Sequence, residues 1–404
     1  MNINLTVFNF LLIFVLIGII TSCDSNSDED TFVANVPIVE IGTNIFSNPD
    51  SAIIVKRAEE LDRKFNRLVK LTGFNGTVLY AEKGRIILQK AYGYQNVRRK
   101  KDSIVTSDAF QLASVSKMFT AMSIMILKDD GKLSYDDDIR KYLPSLPYEG
   151  VTIRMLLTHR SGLPRYMSVA HENWTNKKIP MDNDDMLGLF VEYKPDLYFK
   201  PNNGFHYCNT NYAMLANIVE SVSEMTFDNF VEARIFKPLG MNNSFVYNMR
   251  GDSAVPLYIE EGVPGYYHKG WRWRKMTNEY LNGVMGDKNI YTSVEDLYKY
   301  DRAMDSFTLL PDSIISEAFE LGSPSYWKRK NNYGFGWRIK EDRDSTVFHF
   351  GWWKGFRTFY LRDMKYQKTL IVLTNKDKGP GSSHLWNIIK SDTLPFGRTC
   401  DIFN

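Results

Sequence analysis

Phe110-Gln-Leu-Ala-Ser-Val-Ser-Lys-Met-Phe-Thr120 is the stretch on which the fold turns. Within it, Ser114-Val-Ser-Lys117 sets a hydroxyl and an ammonium three residues apart. If Ser114 opens a helix, the two side chains share one face. Free backbone N–H groups at the helix start then point toward the hydroxyl and lower the cost of an alkoxide. The spacing alone is common, and Ser325-Tyr-Trp-Lys328 has it too. Context separates the two. Ser114 opens an apolar, Met-rich run from about Met118 to Leu127 that reads as a helix ended by Asp129-Asp-Gly131, whereas Ser325 follows Gly-Ser-Pro in a turn-like segment.

Working outward, Ile54, Ala58, Leu61, Phe65 and Leu68 recur at helical spacing and predict an amphipathic helix after Pro49. Gly76–Tyr80 and Arg85–Lys90 are β-rich runs divided by Ala-Glu-Lys-Gly, which predicts a hairpin. Between about 135 and 320 the sequence reads as helical runs broken by Gly, Pro and Asn. Strands return at Val347–His349, Thr358–Arg362 and Thr369–Thr374, followed by a short helix near His384–Lys390. Strands at both ends with helices between them predict an α+β fold: an antiparallel sheet flanked by helices, with a mainly helical domain inserted. The expected bounds are 49–115 and 325–404 for the sheet domain and 116–324 for the insertion.

Lys+Arg 50 against Asp+Glu 47 leaves a net charge of +3, so bulk charge makes no case for a nucleic-acid partner. With 44% hydrophobic and 24% charged residues, the chain is neither disordered nor fibrous. Tyr266-Tyr-His-Lys-Gly-Trp-Arg-Trp-Arg-Lys275 does interleave aromatic and basic residues, a pattern able to stack bases and hold phosphates. Against the balanced charge it reads as a substrate-facing rim or as ordinary surface. No recognised zinc spacing and no Gly-rich dinucleotide turn occurs, so no metal or organic cofactor is expected.

Phe10–Ile20 is an apolar run of 11 residues, and the first 22 residues carry no charged side chain. At roughly 16 Å it is too short for a bilayer core and reads as the apolar part of a signal peptide over 1–22. Ile20-Thr-Ser-Cys23 resembles a bacterial lipobox, which implies lipidation of Cys23 and a membrane anchor. Asp24-Ser-Asn-Ser-Asp-Glu-Asp30 then begins an acidic tether and linker over 23–48. The chain is therefore expected in a bacterial cell envelope, periplasmic or on the outer membrane. Cys208 and Cys400 remain, and nothing in the sequence requires them to pair.

Two further short motifs have decoys of their own. Tyr207-Cys-Asn209 has the same form as Tyr94-Gln-Asn96, and His349-Phe-Gly351 the same form as His268-Lys-Gly270. His349 ends a strand-like run, whereas His268 sits in a loop. Taken in order, Ser114-Val-Ser-Lys117, Leu156-Leu-Thr-His-Arg-Ser-Gly-Leu-Pro164 and Phe205-His-Tyr-Cys-Asn-Thr-Asn-Tyr212 resemble the serine β-lactamase-related family. Phe236-Lys-Pro-Leu-Gly-Met241 and His349-Phe-Gly-Trp-Trp-Lys-Gly-Phe356 extend the likeness over about residues 70–376. That family includes class C β-lactamases, D-alanyl-D-alanine carboxypeptidases and related esterases, and the resemblance implies the β-lactamase/transpeptidase-like fold.

The resemblance further implies that Ser114 is the nucleophile and that Lys117 shares in proton transfer. Tyr207 is the implied general base, acting as tyrosinate or through Lys117, and Asn209 orients substrate amides and Lys117. His349 stands where many relatives carry lysine, and Gly351 would let substrate lie against its strand. The N–H groups of Ser114 and Trp352 are the implied oxyanion donors. A small-molecule or peptide substrate is expected: a small ester, an amide or a D-amino-acid peptide. β-Lactam hydrolysis, or binding of cell-wall peptides with little catalysis, is the alternative. Because the fixed cation is missing at His349 and Trp352-Trp353 add bulk, esters and D-amino-acid derivatives are expected to be better substrates than β-lactams. Lys354 and Arg357 are the nearby cations that could substitute. Cys208 reads as a small buried group, His159 as a hydrogen-bonded structural histidine, and Gly283–Asp296 as a turn before a helix capped by Thr292 or Ser293.

Overall fold

Ile54, Leu61, Phe65 and Leu68 lie buried along one side of helix α1 (Asn48–Thr72), the helix their spacing predicts. The computed structural model describes residues 48–324, 332–340 and 345–394. The signal segment, Cys23 and nearly all of the tether, Ser325–Lys328 and Cys400 lie outside the described residues.

The main strands are β1 (Gly76–Glu82), β2 (Arg85–Tyr92), β3 (Tyr266–Lys269), β4 (Arg272–Lys275), β5 (Asn332–Tyr333), β6 (Arg338–Ile339), β7 (Thr346–Trp353), β8 (Phe356–Asp363) and β9 (Lys368–Thr374). Seven of them form one antiparallel sheet in the order β5-β6-β7-β8-β9-β1-β2. The first strand thus pairs with the last, Val78 opposite Val372. Alternation then sorts the side chains into two cores. Val78, Tyr80, Leu370 and Val372 face α1 and α5 (Ser382–Ile389). Leu79, Ala81, Ile371 and Leu373 face the helical region. Covered on both faces, β1 and β9 are buried over their whole length, which is why their sequences show no polar alternation.

On the second face lie α2 (Lys117–Asp129), α3 (Asn209–Ser223) and α4 (Val294–Ser306). Every residue of α2 from Lys117 to Leu127 is buried, as expected of a helix apolar around its circumference. Ser293 caps α4, its side chain accepting from Asp296 N–H, with Glu295 and Asp296 in the first turn. Further along α4, the buried Asp301 clamps the helix to the sheet. Its carboxylate accepts from Tyr360 Oη at 2.6 Å and Thr369 Oγ1 at 2.8 Å, and pairs with Arg362 Nε at 2.7 Å. The core on the second face is continuous from the sheet into the helices of the middle of the chain.

The middle of the chain is less uniformly helical than its sequence suggests. β3 and β4 form a separate hairpin, and Phe110–Gln111, Ile290–Thr292 and Phe245–Val246 make a small three-stranded sheet. Strands of two to four residues are shorter than the window in which alternation can be recognised.

Candidate active site

Three separated segments converge on Ser114. Phe110–Gln111 pairs with Tyr291–Thr292, and Leu112 N–H donates to Ile290 O at 2.8 Å, so the chain enters a one-turn helix at Ala113–Ser116 under restraint. Ala113 holds φ +50°, a left-handed conformation rare outside glycine. Strain of this kind, immediately before Ser114, requires a surround that over-determines it. β7 supplies that surround. A Cβ on Gly351 would sit 2.2 Å from Leu112 O and 3.1 Å from Ala113 Cβ, and Thr358 Oγ1 on β8 donates to Leu112 O at 2.7 Å. Gly351 therefore serves the approach of the strand to the serine turn, a role that its place in the sequence did not reveal.

Lys117, the first residue of α2, is fully buried. Its Nζ lies 2.9 Å from Asn209 Oδ1, 2.8 Å from Asp287 O and 3.3 Å from Ser114 Oγ. The two carbonyl oxygens can only accept, so two N–H bonds are committed to them. The remaining position on the nitrogen faces the serine, where it either donates a proton or, when neutral, accepts one. Nζ also lies 5.2 Å from the ring centre of Tyr207. The Tyr207 hydroxyl is buried and has no hydrogen-bond partner among the described residues. A buried phenol left unpaired is costly unless another group completes it.

The Leu156–Pro164 segment braces the Tyr207 loop. Cys208 N–H donates to His159 Nδ1 at 3.3 Å and Asn211 Nδ2 lies 3.0 Å from the same nitrogen, so Nδ1 accepts and the ring proton sits on Nε2. Ser161 Oγ donates to Asn211 Oδ1 at 2.7 Å, and Thr210 Oγ1 donates to Pro164 O at 2.6 Å. Cys208 is a free, buried thiol whose burial pushes its pKa up, and its Sγ points to Pro164 O and Thr210. The decoys lie elsewhere: Tyr94 and Asn96 on a two-stranded hairpin with Lys101–Ser103, and His268 on β3.

His349 is fully buried on β7. Its Nδ1 lies 2.9 Å from Phe350 O, which can only accept, so Nδ1 carries the proton and Nε2 accepts from Tyr333 Oη at 3.0 Å. Burial, followed by the charges of Arg338 and Lys117, holds its pKa well below the usual histidine value. His159 is lowered well below it as well, first by burial and then by Lys117 and Arg338. Both rings are neutral in the folded chain and take up protons near pH 6.5 once unfolded. The unfolded state therefore binds more protons as pH falls below about 6.5, and stability falls with it. Above that pH the contribution is complete. Below it, each ring should cost up to about 1.4 kcal/mol per pH unit until its folded-state pKa is reached. Denaturant unfolding at a series of pH values, with proton uptake measured alongside, checks this expectation.

Trp352 is 66% exposed, while Trp353 is half-buried with Lys288 Nζ 5.4 Å from its ring centre. The two cations that could have replaced a lysine at 349 are engaged elsewhere. Lys354 pairs with Glu279 at 2.6 Å, and Arg357 points to Gly379 O. The cation at the site is Arg338 on β6, which sequence inspection missed. Its guanidinium lies 4.8 Å from the ring centre of Tyr207 and 5.8 Å from that of Tyr333, with no carboxylate partner among the described residues. A second omission is Asp287-Lys288. Lys288 is buried and donates to Tyr166 Oη and Val284 O, both at 2.8 Å, while Asp287 Oδ1 lies 3.3 Å away. That knot fixes the peptide whose carbonyl holds Lys117. Its only signal in the sequence was two adjacent charges inside a Gly-rich turn. Beside Tyr207 and Asn209 opens a cavity of about 220 Å³, also lined by Arg165, Tyr166, Met167 and Cys208.

A serine on a strained turn, with a buried lysine beside it and a tyrosine and an asparagine facing both, on this sheet-and-helix scaffold, defines a serine hydrolase of the β-lactamase/transpeptidase-like fold. The chain belongs to the beta-lactamase family, whose profile matches residues 61–393. It is 36% identical to penicillin-binding protein 4* of Bacillus subtilis over 362 residues, which covers 86% of this chain and 78% of that protein. The crystal structure of a penicillin-binding protein from Bacillus halodurans superposes with a TM-score of 0.69 at 25% identity, covering 82% of this chain and 98% of the other. A D-stereospecific amidohydrolase from Streptomyces sp. shares the fold, with a TM-score of 0.66 at 20% identity over 83% of this chain and 99% of its own.

Proposed function

We propose that the chain forms an acyl-enzyme on Ser114 and releases it to water, acting on small esters, amides or D-amino-acid peptides. The observation that carries this reading is the placement of Lys117 Nζ, held by Asn209 and Asp287 with one position left for Ser114 Oγ. Attack on the substrate carbonyl forms the Oγ–C bond and moves the C=O π pair onto oxygen as the serine proton passes to unprotonated Lys117 or to Tyr207 as phenolate. The same groups return the proton to the leaving oxygen or nitrogen. The cavity beside Tyr207 and Asn209 has room for a compact acyl group, and Arg338 supplies a cation for a carboxylate next to the scissile bond. The name of the Bacillus subtilis relative supports penicillin as a probe.

Intact-protein mass spectrometry after exposure to a fluorophosphonate or to penicillin tests the reading. One adduct per chain is expected, and none in Ser114→Ala. Turnover of a short-chain p-nitrophenyl ester, a D-alanyl-D-alanine peptide and nitrocefin, measured on one preparation, then ranks the substrate classes. Nitrocefin is expected to be the poorest, and Arg338→Ala to raise KM for the peptide while leaving the uncharged ester unchanged. A chain that accepts no electrophile at Ser114 would instead be a binding protein.

We also propose anchoring through a lipid on Cys23, from the Ile20-Thr-Ser-Cys23 motif that follows the apolar run. Labelled palmitate should enter the chain, and Cys23→Ala should abolish both labelling and membrane retention. Cleavage elsewhere, with no lipid on the mature chain, would remove the proposal.

A further inference from the structure

We infer that the β3–β4 hairpin is a docking surface for an anionic lipid bilayer, with Trp271 at its tip entering the interface. Trp271 is 92% exposed, at the turn where Gly270 holds φ +60°. Around it Lys269, Arg272 and Arg274 are exposed, and none pairs with a carboxylate among the described residues. Lys275 and Lys378 add charge at the base of the hairpin, over the Tyr258 ring and beside His268, while Lys376 is buried under the Trp273 ring and donates to Gly73 O. Near these five exposed cations lie the carboxylates of Asp377, which accepts from His268 N–H, of Glu260 beside Lys275 and of Asp102 beside Tyr266.

The hairpin is a firm platform. Tyr266 N–H donates to Asn375 O and Asp377 N–H to Tyr266 O, both at 2.9 Å, and Met276 N–H closes the hairpin onto Gly265 O at 2.8 Å. A lone exposed indole is ordinary by itself; what points outward here is its place at the tip of an anchored arm with exposed cations on either side. The arrangement of rings identifies the partner. A linear polyanion is held by several rings in series along a basic groove. Here Tyr266 is buried, Tyr267 and Trp273 are half-buried, the latter with Lys376 4.0 Å over its ring centre, and Trp271 is the one ring of the hairpin that stands fully in solvent. One amphipathic ring at a tip, with cations set back from it, matches the layering of a bilayer interface, where apolar depth lies below phosphate charge.

The hairpin is also joined to the open end of β7. A Cβ on Gly355 would lie 2.5 Å from Tyr266 N, and one on Gly265 2.3 Å from Lys354 O.

The test is hydroxyl-radical oxidation of the full chain, read residue by residue by mass spectrometry. It compares vesicles of phosphatidylcholine alone with vesicles that also contain phosphatidylglycerol. Oxidation of Trp271 should fall about fivefold or more with the anionic vesicles only, at least the effect of one basic residue at a charged surface. The protection should vanish in high salt and in Arg272→Glu/Arg274→Glu. Tyr366, exposed at the opposite end of β8, should be unaffected. Equal oxidation in both vesicles, or equal protection by both, overturns the proposal. So does stronger protection by soluble dextran sulfate than by anionic vesicles, which would make the partner a free polyanion. If the charge-reversed variant does not fold, the salt series on the unaltered chain decides: protection that persists in high salt overturns the proposal.

Discussion

Lys117→Arg is expected to slow acylation of Ser114 by at least about 100-fold, the lower end of what general acid–base catalysis supplies. A guanidinium keeps the positive charge near Asn209 and Asp287 but stays protonated and cannot take the serine proton. Space works against it as well, because Lys117 is fully buried and its nitrogen already has three neighbours within hydrogen-bond distance. Single-turnover acylation by a chromogenic ester, followed beside thermal unfolding, separates loss of proton transfer from loss of fold. Near-native acylation by this variant would take Lys117 out of the proton path.

Gly351→Ala should be nearly as damaging, although glycine brings no side chain to the chemistry. The added methyl would stand 2.2 Å from Leu112 O and 2.3 Å from Thr358 Oγ1. Leu112 O belongs to backbone that also enters the small sheet, so the relief must come from β7 or from the turn carrying Ser114. A displacement of about 1 Å at a reacting group costs on the order of 100-fold in rate. We expect kcat to fall by that order with a smaller change in KM, since the cavity beside Tyr207 is lined by Arg165–Met167 and Tyr207–Asn209 and by neither Leu112 nor any residue of β7. Steady-state kinetics on a variant shown to be folded by near-UV circular dichroism measures both.

Much of the scaffold could be read from spacing alone. The 4, 3, 4, 3 recurrence from Ile54 to Leu68 and the β-rich runs at both ends were visible because buried faces impose a period. The sequence also placed Ser114, Lys117, Tyr207 and Asn209 in order, and the structure brings them around one nitrogen. What stayed hidden depends on distances that spacing does not encode. Arg338 precedes His349 by eleven positions and reaches Tyr207 only because β6 and β7 are neighbours, with Arg338 opposite Phe348. Asp287 contributes through its carbonyl, a group every residue possesses, so its identity carried no mark of the role. His349 looked substrate-facing by position, yet it is covered by Tyr333 and exposes no surface. Burial of a single histidine cannot be inferred from its neighbours along the chain.

The pairing of β1 with β9 also governs how this protein is born. Asn75 Nδ2 donates to Asn375 Oδ1 across 300 positions, and Gly76 through Glu82 pair on one edge with β2 and on the other with Lys368 through Thr374. At about 5–20 residues per second, a ribosome emits the end of the sheet roughly 15–60 s after its beginning. During that interval β1 can form its hairpin with β2, but its other edge is bare and apolar, a template for misjoining with another nascent chain. Ser114 and Lys117 emerge early and wait for Asn209, Asp287 and then Gly351 to arrive. A truncated translation product thus holds Ser114 and Lys117 without the groups that surround them in the folded chain, and the site is assembled only when synthesis is nearly finished.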